Sequence, residues 1–453
     1  STASLNHAGE TDAAAFAELA SGIRNMIDSG EINENLNSLY SHFSGSESYF
    51  SRLDMLDKMF FNDNSPAALG SETAMRLYGR QLMGTATRLE TFNQCPFRYL
   101  IQFGIRLKER PQRTEKANDR GSFIHEAFDK LIKEYLNSNC DFATISAADI
   151  HEKLERILPP MMIEHNNGIL LDSARMRAEF QRIAELVETA ALAVVKQINA
   201  GKFRPFASEV NFGHDNDAYP PLRIQAENGV TYSITGIADR VDKYVSPSNE
   251  EFIRIIDYKT YGQTFDYTEL ANGLRIQLPL YASAMQNAMR KETNNPLFTA
   301  GMYYLHIGDA QASEGISEDK AENEIQRSFR MNGLTLNDEN ILEAMDSAFP
   351  GSSDVLYGVR YSKKEGMFKG SLADEDEMEE TLEFAKKIAG KTLRAIMRGR
   401  IDVSPTEYHG KTACKYCPYI SICCFDTTAG CRYRRPRAVD ADKFFGRENK
   451  GKN

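Results

Sequence analysis

Apolar residues at helical spacing open the chain. Residues 13–26 and 49–61 repeat them every three or four positions and predict helices. Thr87 with Glu90 three positions later has the form of a capping box, which predicts a helix start leading to Cys95-Pro96-Phe97. A charged stretch follows. Phe123, Ile124, Ala127, Phe128, Leu131, Ile132 and Tyr135 then fall on one stripe and predict an amphipathic helix over 122–136, opened by Gly121. Further helices are expected over 147–158 and 172–200.

The period next changes to two. Residues 232–245 and 252–258 are rich in β-branched and aromatic side chains and predict strands. The turn-forming run Ser246-Pro247-Ser248-Asn249-Glu250 between them predicts an antiparallel hairpin. A helix over 274–289 and a strand over 297–307 follow. Residues 311–370 are polar and mixed, and are expected to form an insertion or linker. A long helix is predicted over 372–397. Its first turns are acidic and its later turns carry Lys386, Lys387, Lys391 and Arg394, an order that suits the helix dipole and needs no functional explanation. No internal repeat is present.

At 453 residues the chain is long enough for two or three domains. Its 42% hydrophobic and 26% charged residues are ordinary for a globular protein. It contains no apolar run of membrane-spanning length, so no membrane association is expected. The start lacks an initiator Met and a signal-peptide pattern, and the chain is read as a piece of a longer protein. The net charge of −10 is awkward for a polyanion binder, although a local basic groove can sit on an acidic protein. Two basic clusters are available: Arg106, Lys108, Arg110, Arg113, Lys116 and Arg120, and then Arg432, Arg434, Arg435 and Arg437 around Tyr433. Each is equally well read as a solvated surface. Gly390-Lys391-Thr392 and Gly410-Lys411-Thr412 lack the upstream glycine of a phosphate-binding loop.

The hairpin carries the chemistry. Gly236-Ile237-Ala238-Asp239-Arg240-Val241-Asp242 precedes Ile255-Ile256-Asp257-Tyr258-Lys259. Strand alternation puts Asp257 and Lys259 on one face, with Asp239 on the partner strand. Two carboxylates so placed suit a hard divalent cation, Mg²⁺ or Mn²⁺. Such a cation activates water and neutralises phosphate charge, and the adjacent lysine stabilises a developing anion. An isolated Asp-x-Lys is more often a surface ion pair. The run 253–256, apolar but for Arg254, argues for a largely buried strand, in which an unpaired carboxylate is costly. Asp242, three residues from Asp239, is expected on the opposite face.

The order Gly-x-x-Asp-Arg-x-Asp, Ile-Asp-Tyr-Lys, then Gln277-Leu278-Pro279-Leu280-Tyr281 resembles the RecB-type branch of the PD-(D/E)XK nucleases. The upstream Gly121-Ser122-Phe123-Ile124-His125 is similar to that branch's histidine motif. The resemblance implies an α/β fold: a restriction-endonuclease-like mixed sheet flanked by helices, with helical N-terminal and C-terminal additions. It implies metal ligation by His125, Asp239, Asp257 and the Tyr258 carbonyl, with Lys259 as catalytic lysine and with Gln277 and Tyr281 facing the site and the DNA. Taken alone, His125 reads as a core histidine, and Gln277 and Tyr281 as boundary residues sharing a helix face.

Seven cysteines, odd in number and without an export signal, point away from a disulfide framework and toward a reducing, cytoplasmic compartment. Cys414, Cys417 and Cys423 have metal-ligand spacing, and Cys95 is the candidate fourth ligand, with Cys424 as an adjacent alternative. Closing a loop of about 320 residues would stabilise the fold by roughly 5–6 kcal/mol. Spacing alone slightly favours zinc. One cysteine before the nuclease core and three after it resembles the [4Fe–4S] staple of RecB-type nucleases, and the resemblance favours that cluster. Cys140 and Cys431 are expected to stay outside the site.

Among these relatives the nuclease domains of AddB-type subunits of ATP-dependent helicase–nucleases are most similar, over about residues 85–437. That implies a deoxyribonuclease, an exonuclease on single-stranded ends in double-strand break repair, with an AddA-like helicase–nuclease partner. Arg432, Arg434 and Arg435 are the expected DNA contacts. A free-standing CRISPR-associated or exonuclease V-like enzyme and a non-catalytic DNA-binding module are the competing readings. The expected organisation is a helical segment over 1–86 that ends a helicase-like region, a nuclease core over 87–310, an insertion and long helix over 311–400, and a cysteine-rich tail with basic residues over 401–453.

Overall fold

The computed structural model describes residues 11–30, 34–61, 68–108, 117–138, 140–165, 173–226, 229–308, 317–428 and 430–447, together with 310, 313 and 315. Backbone contacts divide the chain into two units, Ser1–Ala67 and Ala68–Asn453.

The first unit is helical. Asp12–Ser29, Leu36–Ser44 and Phe50–Phe61 bury Leu19, Ile23, Leu39, Phe43, Leu53 and Leu56 in a core of their own. The apolar spacing in the sequence foretold the first and third of these helices.

The second unit is built on a six-stranded mixed sheet. Its strands are β1 (Arg204–Phe212), β2 (Gly236–Val245), β3 (Glu251–Lys259), β4 (Leu297–His306), β5 (Asn332–Leu336) and β6 (Leu372–Ala373). Spatial order follows chain order. β1, β2 and β3 are antiparallel neighbours, β3 and β4 run parallel, β4 and β5 antiparallel, and β5 and β6 parallel. A parallel pair needs a long crossover, and residues 260–296 supply it with a helix. The first eight residues of β3 are buried, as its apolar run predicted for a strand covered on both faces.

Six helices frame the site: α1 (Ala86–Gln94), α2 (Ala117–Asn137), α3 (Ala147–Glu164), α4 (Ala174–Ala200), α5 (Gln277–Met289) and α6 (Glu375–Met397). Phe128 of α2 packs on the Tyr258 ring, 5.2 Å between centroids, while Gln277 of α5 reaches Asp257. Neighbouring residues of a strand face opposite ways, so α2 and α5 cover opposite faces of β3. Among the described residues no helix is long and apolar enough to cross a membrane.

Several local expectations change. Gly121 lies inside α2, which begins at Ala117, and residues 231–234 form a strand of a separate sheet ahead of β2. Helix α1 starts two residues before the expected start at Arg88, with Thr85 as N-cap, and Thr87 lies inside it. Glu90 therefore caps no turn of its own helix; it is buried and turned toward α5. The long helix starts at Glu375, not Leu372, because Leu372 and Ala373 pair with β5. Asp374 and Glu377 then form a reciprocal capping box. The polar stretch 311–370 supplies β5 to the sheet rather than standing apart from it. Its polarity comes from its exposed helix Glu318–Ser328, which has no buried residue.

Candidate active site

The β2–β3 hairpin is held in register by a buried ion-pair cluster. Asp242 stands opposite Arg254. Its carboxylate takes Arg254 Nε at 2.8 Å and Arg240 Nε at 3.0 Å, and all three side chains are essentially inaccessible to water. As the three-residue offset predicted, Asp242 points away from Asp239. Its role is to fix the strands.

On the other face Asp239 accepts a hydrogen bond from the Tyr258 backbone N–H at 2.6 Å, and its Oδ2 lies 3.4 Å from His125 Nδ1. Burial works against protonation of His125. The hydrogen bond and charge of Asp239, with that of Asp257, outweigh it and raise the imidazole pKa. One and two helical turns on, Asp129 and Lys133 of α2 line the same cleft.

Glu209 completes the group, and sequence reasoning missed it. The β1–β2 register pairs Ser208 with Arg240 and Val210 with Ala238, so Glu209 falls opposite Asp239. Its backbone is left-handed, φ +46°, just after a register shift between Pro205 and Ala207. Ligand atoms of His125, Glu209 and Asp239 lie within 4.8 Å of one another. Burial, then the charges of Asp239 and Asp129, push the Glu209 carboxyl up to about 7. Oxygen and imidazole donors packed this tightly, with the repulsion between the two acids only partly offset by His125 and Lys133, form a site that a divalent cation fits.

Asp257 is outside that trio but beside it. Burial and the Asp239 charge raise its pKa, while Lys259 pulls it down. The Lys259 ammonium is ion-paired to Asp257 Oδ2, and Gln277 Nε2 donates to Asp257 Oδ1 at 2.8 Å. Burial disfavours the Lys259 charge, but Asp257 outweighs it and keeps the ammonium protonated. Tyr281 is buried. It packs edge-on to Phe212, and any side chain at Gly236 would collide with its phenol. The glycine of the Gly-x-x-Asp run is thus required by Tyr281, which supports the site from beneath without lining the cleft.

The cleft is open and about 810 Å³ in volume. Besides the α2 residues and Glu209 it is walled by Asn211, Ile237, Asp239 and residues 258–261.

A second cavity is lined by Cys95, Cys414, Cys417 and Cys423, with Phe97, Pro405, Tyr419, Ile420 and Phe425 closing it. Cys95 terminates α1, and Cys423 ends the short helix Ile420–Cys423. Burial raises the pKa of Cys95, Cys414 and Cys423. Cys424 is exposed in a left-handed turn, and it lies outside the cavity lining with Cys140 and Cys431. The tail is tied to α1 by Thr406, whose N–H donates to the Gln94 carbonyl at 2.9 Å, and by Arg434, which donates to the Asn93 carbonyl and to Thr406.

Arg434 is therefore turned inward. Arg432 is exposed, and Arg435 is exposed with Glu407 at 3.4 Å. Arg120 of the first basic cluster pairs with Glu179 at 3.1 Å, and Arg110, Arg113 and Lys116 lie outside the described residues.

Comparison with known proteins matches this architecture. The family model of the PD-(D/E)XK nuclease superfamily covers residues 85–424. The chain is 28% identical to the B subunit of the ATP-dependent helicase/deoxyribonuclease of Acetivibrio thermocellus, over 91% of its own length and 36% of that protein. It is 26% identical to the protein of the same name from Alkaliphilus metalliredigens, over 98% of its own length and 39% of that protein. For that of Clostridium kluyveri the figures are 29%, 92% and 37%. The chain thus spans a little over a third of the length of these curated relatives. A mixed sheet flanked by helices, a hairpin carrying Asp239, Asp257 and Lys259, and a match over three quarters of its residues have one meaning: the chain belongs to the PD-(D/E)XK nuclease superfamily.

Proposed function

We propose that this chain is the nuclease portion of the B-type component of a helicase–nuclease, a deoxyribonuclease that hydrolyses single-stranded DNA at ends opened by an AddA-like partner. The convergence of His125, Glu209 and Asp239 beside the Asp257–Lys259 pair, in an open cleft, is the observation that carries it. The helicase/deoxyribonuclease names of the relatives, matched over 91–98% of this chain, favour that reading over a free-standing enzyme.

His125, Glu209 and Asp239 would hold the divalent ion, Mg²⁺ or Mn²⁺, with Asp257 and the Tyr258 carbonyl adjoining. A bound ion of this kind supplies Lewis acidity and an activated water. The protein's own part is positional. Asp257 holds the Lys259 ammonium at the cleft wall, where it offsets negative charge building on a phosphate. Gln277 fixes the Asp257 carboxylate by its 2.8 Å hydrogen bond. The exposed Arg432 and Arg435 are proposed to contact DNA, and the inward orientation of Arg434 favours a structural role for it.

Cys95, Cys414, Cys417 and Cys423 would hold a [4Fe–4S] cluster. One cysteine before the nuclease core and three after it, all lining one cavity, favour the cluster over zinc.

The direct test is cleavage of end-labelled single-stranded DNA by this chain with and without Mg²⁺. Cleavage that requires the ion and disappears in Asp257→Ala is expected. Cleavage that survives Asp257→Ala would overturn the assignment.

A further inference from the structure

Glu90 is a buried carboxylate near the site that neither the chemistry nor the hairpin uses. It is 3% exposed in the middle of α1, and no basic side chain forms an ion pair with it within 4 Å among the described residues. Instead its Oε1 accepts two backbone hydrogen bonds from another element, the N–H groups of Ile276 at 2.7 Å and Gln277 at 2.9 Å. These N–H groups stand at the N-cap and first residue of α5. The first amides of a helix have no partner within it, and the helix's positive end favours an acidic acceptor. Ile276 offers no side-chain cap of its own. Glu90 therefore supplies the cap that the local sequence lacks, from a position 186 residues away.

What is capped is the residue that reaches the site. Gln277 opens α5, and its side chain donates to Asp257 Oδ1 at 2.8 Å. The opposite end of α1 is Cys95. One short helix thus touches the cysteine cavity at its end and the active-site helix at its middle. We infer that Glu90 is a positioning residue: by capping α5 it sets Gln277 against Asp257 and so fixes the orientation of that carboxylate toward the divalent ion. The inference rests on the proposed metal site and extends it by one shell to a residue that contacts neither ion nor DNA. Outer partners of metal ligands commonly affect affinity by about 10–100-fold.

The test is Mn²⁺ binding by calorimetry to the parent chain, Glu90→Ala, Glu90→Gln, Gln277→Ala and the Glu90→Ala/Gln277→Ala double variant, with DNA cleavage measured alongside. Glu90→Ala is expected to weaken Mn²⁺ binding by about tenfold. Glu90→Gln, which keeps an acceptor oxygen, is expected to bind within about threefold of the parent, a fraction of that loss. The double variant is expected to be no weaker than Gln277→Ala, because residues acting through one contact are not additive. A merely structural role would lower the melting temperature of Glu90→Ala and leave the Mn²⁺ affinity of its folded fraction unchanged. Parent-like binding in Glu90→Ala, or losses that add in the double variant, would overturn the inference. A parent chain that binds Mn²⁺ yet cuts no DNA would instead defeat the nuclease reading, with the Mn²⁺ comparison still deciding the role of Glu90.

Discussion

The backbone N–H of Tyr258 points at Asp239 and donates to its carboxylate at 2.6 Å, across the two strands of the hairpin. Asp239 is thus oriented by the strand that carries Asp257 and Lys259. Asp239→Asn keeps an oxygen for this N–H while removing the charge that faces His125 and Glu209. The variant is expected to fold normally by circular dichroism. Its Mn²⁺ affinity is expected to fall beyond the roughly 10–100-fold that outer partners cost. Undiminished binding by calorimetry would refute the role of Asp239.

Lys259 separates chemistry from binding. Its ammonium neutralises Asp257, and among the described residues its ion pair is with that acid rather than with the His125–Glu209–Asp239 trio. Lys259→Ala is expected to slow DNA cleavage by roughly 10²–10³-fold, the size of loss seen when one preorganised charge stabiliser is removed. Mn²⁺ binding should hold steady or tighten. Loss of both together would reassign Lys259 to the structure of the site.

The pH dependence of stability offers a test without DNA. Glu209 is an acid whose folded pKa, about 7, lies above its unfolded value of 4.5. The folded state then holds more protons between those values, so the contribution of Glu209 to stability falls as pH rises through that window. Below it both states are protonated and nothing is lost. Metal-free Glu209→Gln should therefore melt with the parent near pH 4 and above it at pH 8. A parent as stable as Glu209→Gln at pH 8 would show that the crowding of Glu209 by Asp239 and Asp129 is not present in solution.

Asp242 is expected to be the most destabilising single site in the hairpin. Asp242→Ala leaves Arg240 and Arg254 buried without a carboxylate between them. Breaking a buried pair in this way typically costs about 3–5 kcal/mol. The urea midpoint should fall accordingly. A change under about 1 kcal/mol, the scale of exposed pairs, would mean that the cluster is hydrated.

For the cysteine cavity, protein prepared without oxygen is expected to carry roughly four irons with sulfide per chain. Cys417→Ser should lose them. Stoichiometric zinc in the parent would reverse the assignment.

The hairpin was legible because Asp239, Asp257 and Lys259 sit on strands whose two-residue alternation is unbroken, and because an apolar run announced that β3 is buried. The cysteines were legible from spacing. Glu209 was not. Its strand, Arg204–Phe212, was not anticipated, and a left-handed residue beside a register shift breaks the alternation by which an inward-facing acid would be found. A lone acid in a β-rich run just upstream of the Gly-x-x-Asp strand was the available signal. Glu90 was misread for a different reason. Thr87 and Glu90 match a capping box locally, but the side chain is drawn into the core by the amides of α5, a partner far off in sequence. β5 and β6 were hidden because strands this short carry little periodicity.

The grip of Thr406 and Arg434 on the Asn93 and Gln94 carbonyls spans 313 residues from Asn93 to Thr406. During synthesis at about 5–20 residues per second, α1 and Cys95 leave the ribosome roughly 15–60 s before the segment that completes their surroundings. Three of the four cavity thiols arrive last. A chain that stops short of Cys414 cannot close that cavity. Fastening therefore waits on the synthesis of Cys423.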